Sequence, residues 1–198
     1  MKITAVTDHA GLFARLKLGF ITLMMGGPKD VADIVRLLLY RPAFFGSSFN
    51  HYCQTLLRGP SDWTVGEREL IGTWVSQTNE CRFCTSIHRE VAVRSLPGGA
   101  AVVDAALRDP NSAGLSPQMT ALLPFLRKLT RTPGEVTPQD ARSVLASGVS
   151  RAALEQAIHI SALFSTINRI ADSLGFEVQG PTGLSKSAEF LLKRGYEM

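Results

Sequence analysis

Helix start and stop signals recur along almost the whole chain, and the segments between them carry apolar residues at helical spacing. Thr64 and Glu67 match a capping box, and Ser150 can cap a long helix. No run of alternating polar and apolar residues predicts a strand. The sequence therefore predicts an all-α fold of about eight helices. We expect one domain over 1–198, with a core over about 28–176 and a C-terminal tail over 177–198.

Two helix starts in the first half of the chain depend on single residues. Pro28 suits the first position of a helix that ends at Arg41-Pro42. Asn79 can cap a helix that begins at Glu80 and carries two close cysteines. This second helix start matters most, because it would place both sulfurs near free backbone N–H groups.

The composition is that of a folded globular protein, with 45% hydrophobic residues, 19% charged residues and a net charge of +4. Lysine and arginine are scattered singly, so we expect no nucleic-acid partner. No stretch approaches the roughly 20 apolar residues of a membrane span, and the apolar run 18–25 is not followed by a signal-peptide cleavage site. Only three cysteines in a chain this long fit a reducing compartment. We therefore expect a cytoplasmic protein without a membrane partner.

Cys81, Cys84 and His88 form the most informative group in the sequence. On a helix they fall within an arc of roughly 60°, because each residue turns about 100°. Residues three and four apart have Cβ atoms about 5–6 Å apart, so the two sulfurs can meet in a disulfide and the His88 ring can approach Cys84. A helix start also stabilises a thiolate, which is the reactive form in thiol chemistry.

Three interpretations of this group remain open from the residues alone. The cysteines can be small buried hydrophobes, with His88 a core residue that has its hydrogen bonds satisfied. They can be ligands of a structural zinc ion, although such a site usually takes a second pair of ligands and none is present in the sequence. They can also be a redox CxxC pair, which is the interpretation that we favour.

Glu69, Cys81, Cys84 and His88 together have the spacing E-x11-C-x2-C-x3-H. With this spacing the sequence resembles the alkyl hydroperoxidase D-like (AhpD-like) proteins of the carboxymuconolactone decarboxylase superfamily. Residues 164–172 also resemble a late helix of the peroxidase-related branch of that superfamily. The likeness extends over most of the chain.

The resemblance implies a role for each residue of the motif. Cys84 would be the peroxidatic thiol, and Cys81 would resolve its sulfenic acid to a Cys81–Cys84 disulfide. Glu69 would be the base that polarises His88, and His88 would relay a proton to or from Cys84. Phe83 stands where some members of the family have a second histidine, which would favour bulkier organic peroxides.

The resemblance also implies a thiol-dependent peroxidase that forms a homo-oligomer. Its partners would be a hydroperoxide substrate and an external dithiol reductant of the lipoyl or thioredoxin type. No glycine-rich phosphate loop indicates an organic cofactor, and the redox interpretation requires no metal. Two alternatives stay open: a decarboxylase-like enzyme acting on a small acid, and a non-enzymatic zinc-stabilised or oligomeric binding protein. The tail is expected to pack against a neighbouring subunit or to remain loose.

Overall fold

The computed structural model describes residues 11–196, which form ten α-helices and contain no strand. The prediction of an all-α fold is therefore confirmed, with two helices more than expected. Short 3-10 turns at Pro28–Asp30, Pro110–Ser112 and Pro133–Glu135 join some of the helices. The helices are α1 (Leu12–Met25), α2 (Asp33–Tyr40), α3 (Gly46–Arg58), α4 (Val65–Thr78), α5 (Arg82–Ser95), α6 (Gly99–Arg108), α7 (Pro117–Arg131), α8 (Pro138–Ala146), α9 (Arg151–Ser173) and α10 (Pro181–Arg194).

Helix α4 lies at the centre of the fold and packs against α3, α5, α7 and α9. Its start is the predicted capping box, in which the backbone N–H of Glu67 donates to Thr64 and the Glu67 carboxylate accepts from the Thr64 N–H. The indole N–H of Trp74 donates to the Leu123 carbonyl in α7. Because neighbouring helices surround α4, apolar residues occur on all of its sides, and even its polar side chains are buried.

The turn between α4 and α5 corrects the predicted helix start at Asn79. Asn79 is the C-cap of α4, and α5 begins only at Arg82, with Cys81 as its N-cap. The N–H of Cys81 donates to the Ser76 carbonyl. The N–H of Glu80 donates to the Gln77 carbonyl, and the two bonds together form a Schellman motif. Glu80 has a φ of 64°, in the left-handed region that usually takes glycine. This turn fixes the point at which Cys81 enters α5.

The N-terminal part of the chain also differs from the prediction. The segment that starts at Pro28 is not one helix, because a 3-10 turn over Pro28–Asp30 precedes the separate helix α2. Helix α1 has no buried residue, and Phe13, Leu16, Phe20 and Leu23 are exposed. None of the helices within residues 11–196 combines the length and the apolar character that crossing a membrane requires.

The C-terminal tail is more ordered than expected. Its helix α10 packs against α5 of the same chain, so the segment is not loose. Gly183 in its first turn lies against the backbone of Asp30, where a Cβ would be only 2.4 Å from the Asp30 carbonyl oxygen. The end of α10 brings the chain back to the helix that carries the cysteines.

Candidate active site

Glu69 and His88 are held together in the interior of the helical domain. Glu69 lies on α4 and is fully buried, while His88 lies on the facing side of α5 and is 9% exposed. Nδ1 of His88 is 2.8 Å from Oε2 of Glu69. Nε2 of His88 makes no hydrogen bond with another described residue, so it remains available to a substrate or a proton.

Two further residues, Arg58 and Tyr196, contact the same carboxylate. Nη2 of Arg58, the last residue of α3, is 2.7 Å from Oε1 of Glu69. The Tyr196 hydroxyl, just after α10, donates to the same Oε1 at 2.8 Å. The Arg58 guanidinium also lies 4.9 Å from the centre of the Tyr196 ring. The sequence motif identifies neither residue, because both lie outside it.

These contacts decide the protonation state of Glu69. Burial alone would raise the pKa of the Glu69 carboxyl, but the hydrogen bond and charge of His88, the charge of Arg58 and the hydrogen bond from Tyr196 together lower it. Glu69 is therefore ionised near neutral pH and acts as an acceptor. Since an ionised carboxylate cannot donate, Nδ1 of His88 must carry the hydrogen of their shared bond.

Phe164 and Gly72 fix the position of the His88 ring from the other side. The Phe164 ring, on α9, meets the imidazole edge to face with 4.6 Å between ring centres. A Cβ at Gly72 on α4 would lie 2.3 Å from Cζ of Phe164. Only glycine at position 72 leaves room for this ring.

Cys81 and Cys84 lie at the start of α5, both buried and both as free thiols. Their apolar surroundings include Ala32, Ile87 and Ala171. The hydrogen bond with Cys84 lowers the pKa of the Cys81 thiol in spite of its burial. The same hydrogen bond and burial raise the pKa of Cys84. In the reduced pair, the negative charge therefore favours Cys81, while Cys84 keeps its proton.

Asn168 on α9 connects the cysteine pair to the end of α4. Its side chain is buried and interacts with Cys84, lowering the pKa of that thiol against the larger effects of Cys81 and burial. Nδ2 of Asn168 donates to Ser76 at 3.1 Å, and its Oδ1 accepts from Asn79 at 3.0 Å. The sequence marks Asn168 as a polar residue in an apolar helix, but does not indicate its partners.

The remaining sequence candidates have other surroundings. Cys53 is buried in the main core, and burial raises the pKa of its thiol to about 12, so it is not part of the pair. Phe83 is buried with its ring centre 5.0 Å from that of Phe176. Within residues 11–196, no three side chains of histidine, cysteine, aspartate or glutamate converge as metal ligands. The zinc interpretation therefore has no ligand set in the described part of the chain.

Solved structures with the same fold are known. One is described as an alkylhydroperoxidase AhpD core, a peroxidase-related protein from Ralstonia eutropha JMP134, with a TM-score of 0.71 and 23% identity over 90% of this chain and 91% of the other. Another, a peroxidase-related protein from Silicibacter sp. TM1040, has a TM-score of 0.71 and 19% identity over 89% and 90% of the two chains. The fold is that of the AhpD core.

The AhpD core fold confirms the resemblance that the cysteine motif predicted. The likeness covers about nine tenths of both chains. No family model matches the sequence, and no curated protein is significantly similar to it. At this level of identity the likeness establishes the fold, and the chemistry has to be argued from the side chains.

Proposed function

We propose that this protein is a thiol-dependent peroxidase in which Cys81 and Cys84 are the redox pair. The observation that carries the proposal is the presence of two adjacent free thiols and the hydrogen-bonded Glu69–His88 pair on one helical hairpin. The AhpD core fold and the peroxidase-related description of the two structural neighbours support the same activity. The proposal assigns a reducible sulfur pair and a proton carrier to the first two turns of α5.

The reaction begins with a peroxide at the Cys84 sulfur. His88 takes the Cys84 proton, and the sulfur attacks one peroxide oxygen, so that the O–O bond breaks and a sulfenic acid forms. The departing alkoxide takes the proton from His88 and leaves as an alcohol. One turn of helix separates Cys84 and His88, which places their Cβ atoms about 5–6 Å apart.

The second step forms the disulfide. Cys81, three residues before Cys84, attacks the sulfur of the sulfenic acid as a thiolate. Hydroxide leaves and is protonated to water. An external dithiol then returns two electrons and two protons, restoring both thiols.

The surroundings of Glu69 refine its proposed role. The resemblance gives Glu69 the role of a base, but a carboxylate with Arg58 and Tyr196 on one oxygen is a poor proton acceptor. We propose that Glu69 instead orients His88 and holds a hydrogen on Nδ1, which leaves Nε2 free to accept the Cys84 proton. Glu69 is then a positioning residue, and His88 is the proton carrier.

The proposal includes the surroundings in which the enzyme works. A lipoyl-type or thioredoxin-type dithiol is the reductant that a buried CxxC disulfide would need. A reducing compartment such as the cytoplasm would supply it. Assembly into a homo-oligomer remains a prediction from the family resemblance.

Peroxide consumption with a dithiol present tests the proposal. Wild-type protein and C53A are expected to turn over tert-butyl hydroperoxide, whereas C84S and C81S are expected to lose turnover. A sulfenic-acid probe is expected to label C81S, because its Cys84 has no thiol partner. If the probe labels C84S instead of C81S, Cys81 is the thiol that attacks the peroxide. If the reduced wild-type protein consumes no peroxide, the proposed peroxidase activity is refuted.

The size of the peroxide is a separate question that depends on Phe83. Its ring packs on Phe176 at the position where the resemblance implies a second histidine in some AhpD-like proteins. We propose that the site prefers organic hydroperoxides over hydrogen peroxide. Comparing kcat/KM for cumene hydroperoxide and hydrogen peroxide tests this preference, and equal values would contradict it.

A further inference from the structure

The chain just after α10 is anchored close to the candidate site. Gly195 has a φ of 70°, which turns the backbone away from the helix. The backbone N–H of Tyr196 then donates to Oε1 of Gln54 on α3 at 2.7 Å. A Cβ on Gly195 would lie 2.2 Å from the same Gln54 oxygen, so any other residue here would also displace the Gln54 side chain. The backbone thereby fixes where the Tyr196 side chain enters the domain.

The Tyr196 side chain contacts three members of the buried polar cluster. Its hydroxyl is 2.8 Å from Oε1 of Glu69 and 3.4 Å from Nδ1 of His88. Its ring is nearly parallel to the imidazole, at 13°, with 6.2 Å between ring centres. The Arg58 guanidinium lies over the ring and also donates to the Leu191 carbonyl in α10. The tyrosine thus links the C-terminal segment to the Glu69–His88 pair.

The two carboxylate oxygens of Glu69 are used unequally. Oε1 accepts from both Arg58 and Tyr196, while Oε2 faces His88. Burial and the nearby negative charge of Glu69 raise the pKa of the Tyr196 hydroxyl well above its usual value, so this group remains a donor. With Oε1 held by two donors, the carboxylate cannot rotate to exchange its oxygens without losing both bonds.

We propose that Tyr196 is a positioning residue of the redox site, which holds the Glu69 carboxylate so that His88 keeps its hydrogen on Nδ1 and leaves Nε2 open. This inference rests on the proposed function for its effect on turnover, but not for its effect on His88. The C-terminal segment is accordingly part of the site, and its last described residue completes the hydrogen-bonded chain from α10 through Glu69 to α5.

The test compares Y196F with Y52F in the full-length reduced protein. Tyr52 is a matched control, because its hydroxyl also bonds a histidine, His159, at 2.7 Å, but on the exposed side of α3 and α9. The ¹⁵N NMR signals of the imidazoles report which nitrogen of His88 carries hydrogen. We expect wild type and Y52F to hold it on Nδ1, and Y196F to shift measurably toward the Nε2–H form.

The kinetic part of the test separates positioning from packing. In Y196F, kcat for tert-butyl hydroperoxide is expected to fall about tenfold with KM unchanged, since one hydrogen bond to a charged group is lost. An unchanged His88 tautomer in folded Y196F overturns the inference, whatever the rate, and so does an unchanged kcat in an active enzyme. If wild type consumes no peroxide, the proposed function fails, and the tautomer alone then decides whether Tyr196 positions His88.

Discussion

Glu69 and His88 form one half of the candidate site, and Cys81 and Cys84 form the other. The first half is charged and buried, and each Glu69 oxygen has a partner within 2.8 Å. The second half lies among apolar side chains, and the two thiols mainly affect each other. The comparison shows two uses of burial: in one half, donors keep a carboxylate ionised, while in the other, burial helps to keep the Cys84 proton in place.

The largest expected effect is the loss of the buried carboxylate. E69A leaves the Arg58 guanidinium buried without its anionic partner, which is expected to lower the free energy of unfolding by about 3–5 kcal/mol. The matched control is E189Q, because Glu189 pairs with Lys193 on the exposed surface of α10. Urea denaturation at pH 7 measures the free energy of unfolding of both variants. Equal small losses in the two variants would mean that the charged half contributes no more than a surface pair.

The next effect concerns the close contact between Gly72 on α4 and the Phe164 ring on α9, which packs against His88. G72A adds a Cβ where Phe164 already lies, so we expect it to lower the free energy of unfolding by about 1–3 kcal/mol and to displace His88. G19A is the control, because Gly19 lies in helix α1 with no atom within 4 Å of its added Cβ. There the gain in helix propensity predicts a stabilisation of about 0.5–1 kcal/mol. A stabilising G72A would contradict the packing described for Phe164.

The pH dependence of stability distinguishes the two halves further. The pKa of the Glu69 carboxyl is lower in the folded protein than its ordinary value of 4.5, so its contribution to stability is fully present above that value. It is lost as the pH falls through the folded pKa, because protonation removes the ion pair with Arg58. Urea unfolding from pH 7 to pH 3 is expected to show a shallower loss of stability in E69Q than in wild type. Parallel curves would contradict the lowered pKa.

The smallest effect is expected at the turn between the two helices of the site. E80G keeps the left-handed conformation but removes its cost to a non-glycine residue, about 1 kcal/mol, so it should stabilise the fold slightly. E80Q keeps the backbone strain and removes only the exposed ion pair with Arg131, so it serves as the control. Thermal unfolding of both variants checks the difference. A destabilised E80G would show that the ion pair outweighs the strain.

The sequence predicts the cysteine half of the site better than the charged half. The spacing of Cys81, Cys84 and His88 is local, so helical geometry alone brings them onto one helix. Glu69 could be linked to them only through the family motif, because its contact with His88 joins two helices. The predicted start of α5 was wrong, because Asn79 and Glu80 belong to the turn that ends the preceding helix.

Arg58 and Tyr196 could not be predicted, for a physical reason. Arg58 precedes Gly59-Pro60, which explains the end of a helix and gives no sign of a buried ion pair. Tyr196 reaches Glu69 across 127 residues of sequence, and that contact exists only once α10 has packed on α5. Apolar periodicity reports which face of a helix is buried, but not which polar groups meet inside.

Oxidation of the reduced protein by one equivalent of tert-butyl hydroperoxide, followed by peptide mass spectrometry, tests the Cys81–Cys84 redox pair directly. We expect the loss of two hydrogens as a Cys81–Cys84 disulfide, while Cys53, with its pKa raised to about 12, stays a free thiol. The same experiment with E69Q should give the same disulfide more slowly, since in the proposed mechanism Glu69 acts through His88. If Cys81 and Cys84 remain reduced after peroxide treatment, they are not the redox pair of a peroxidase.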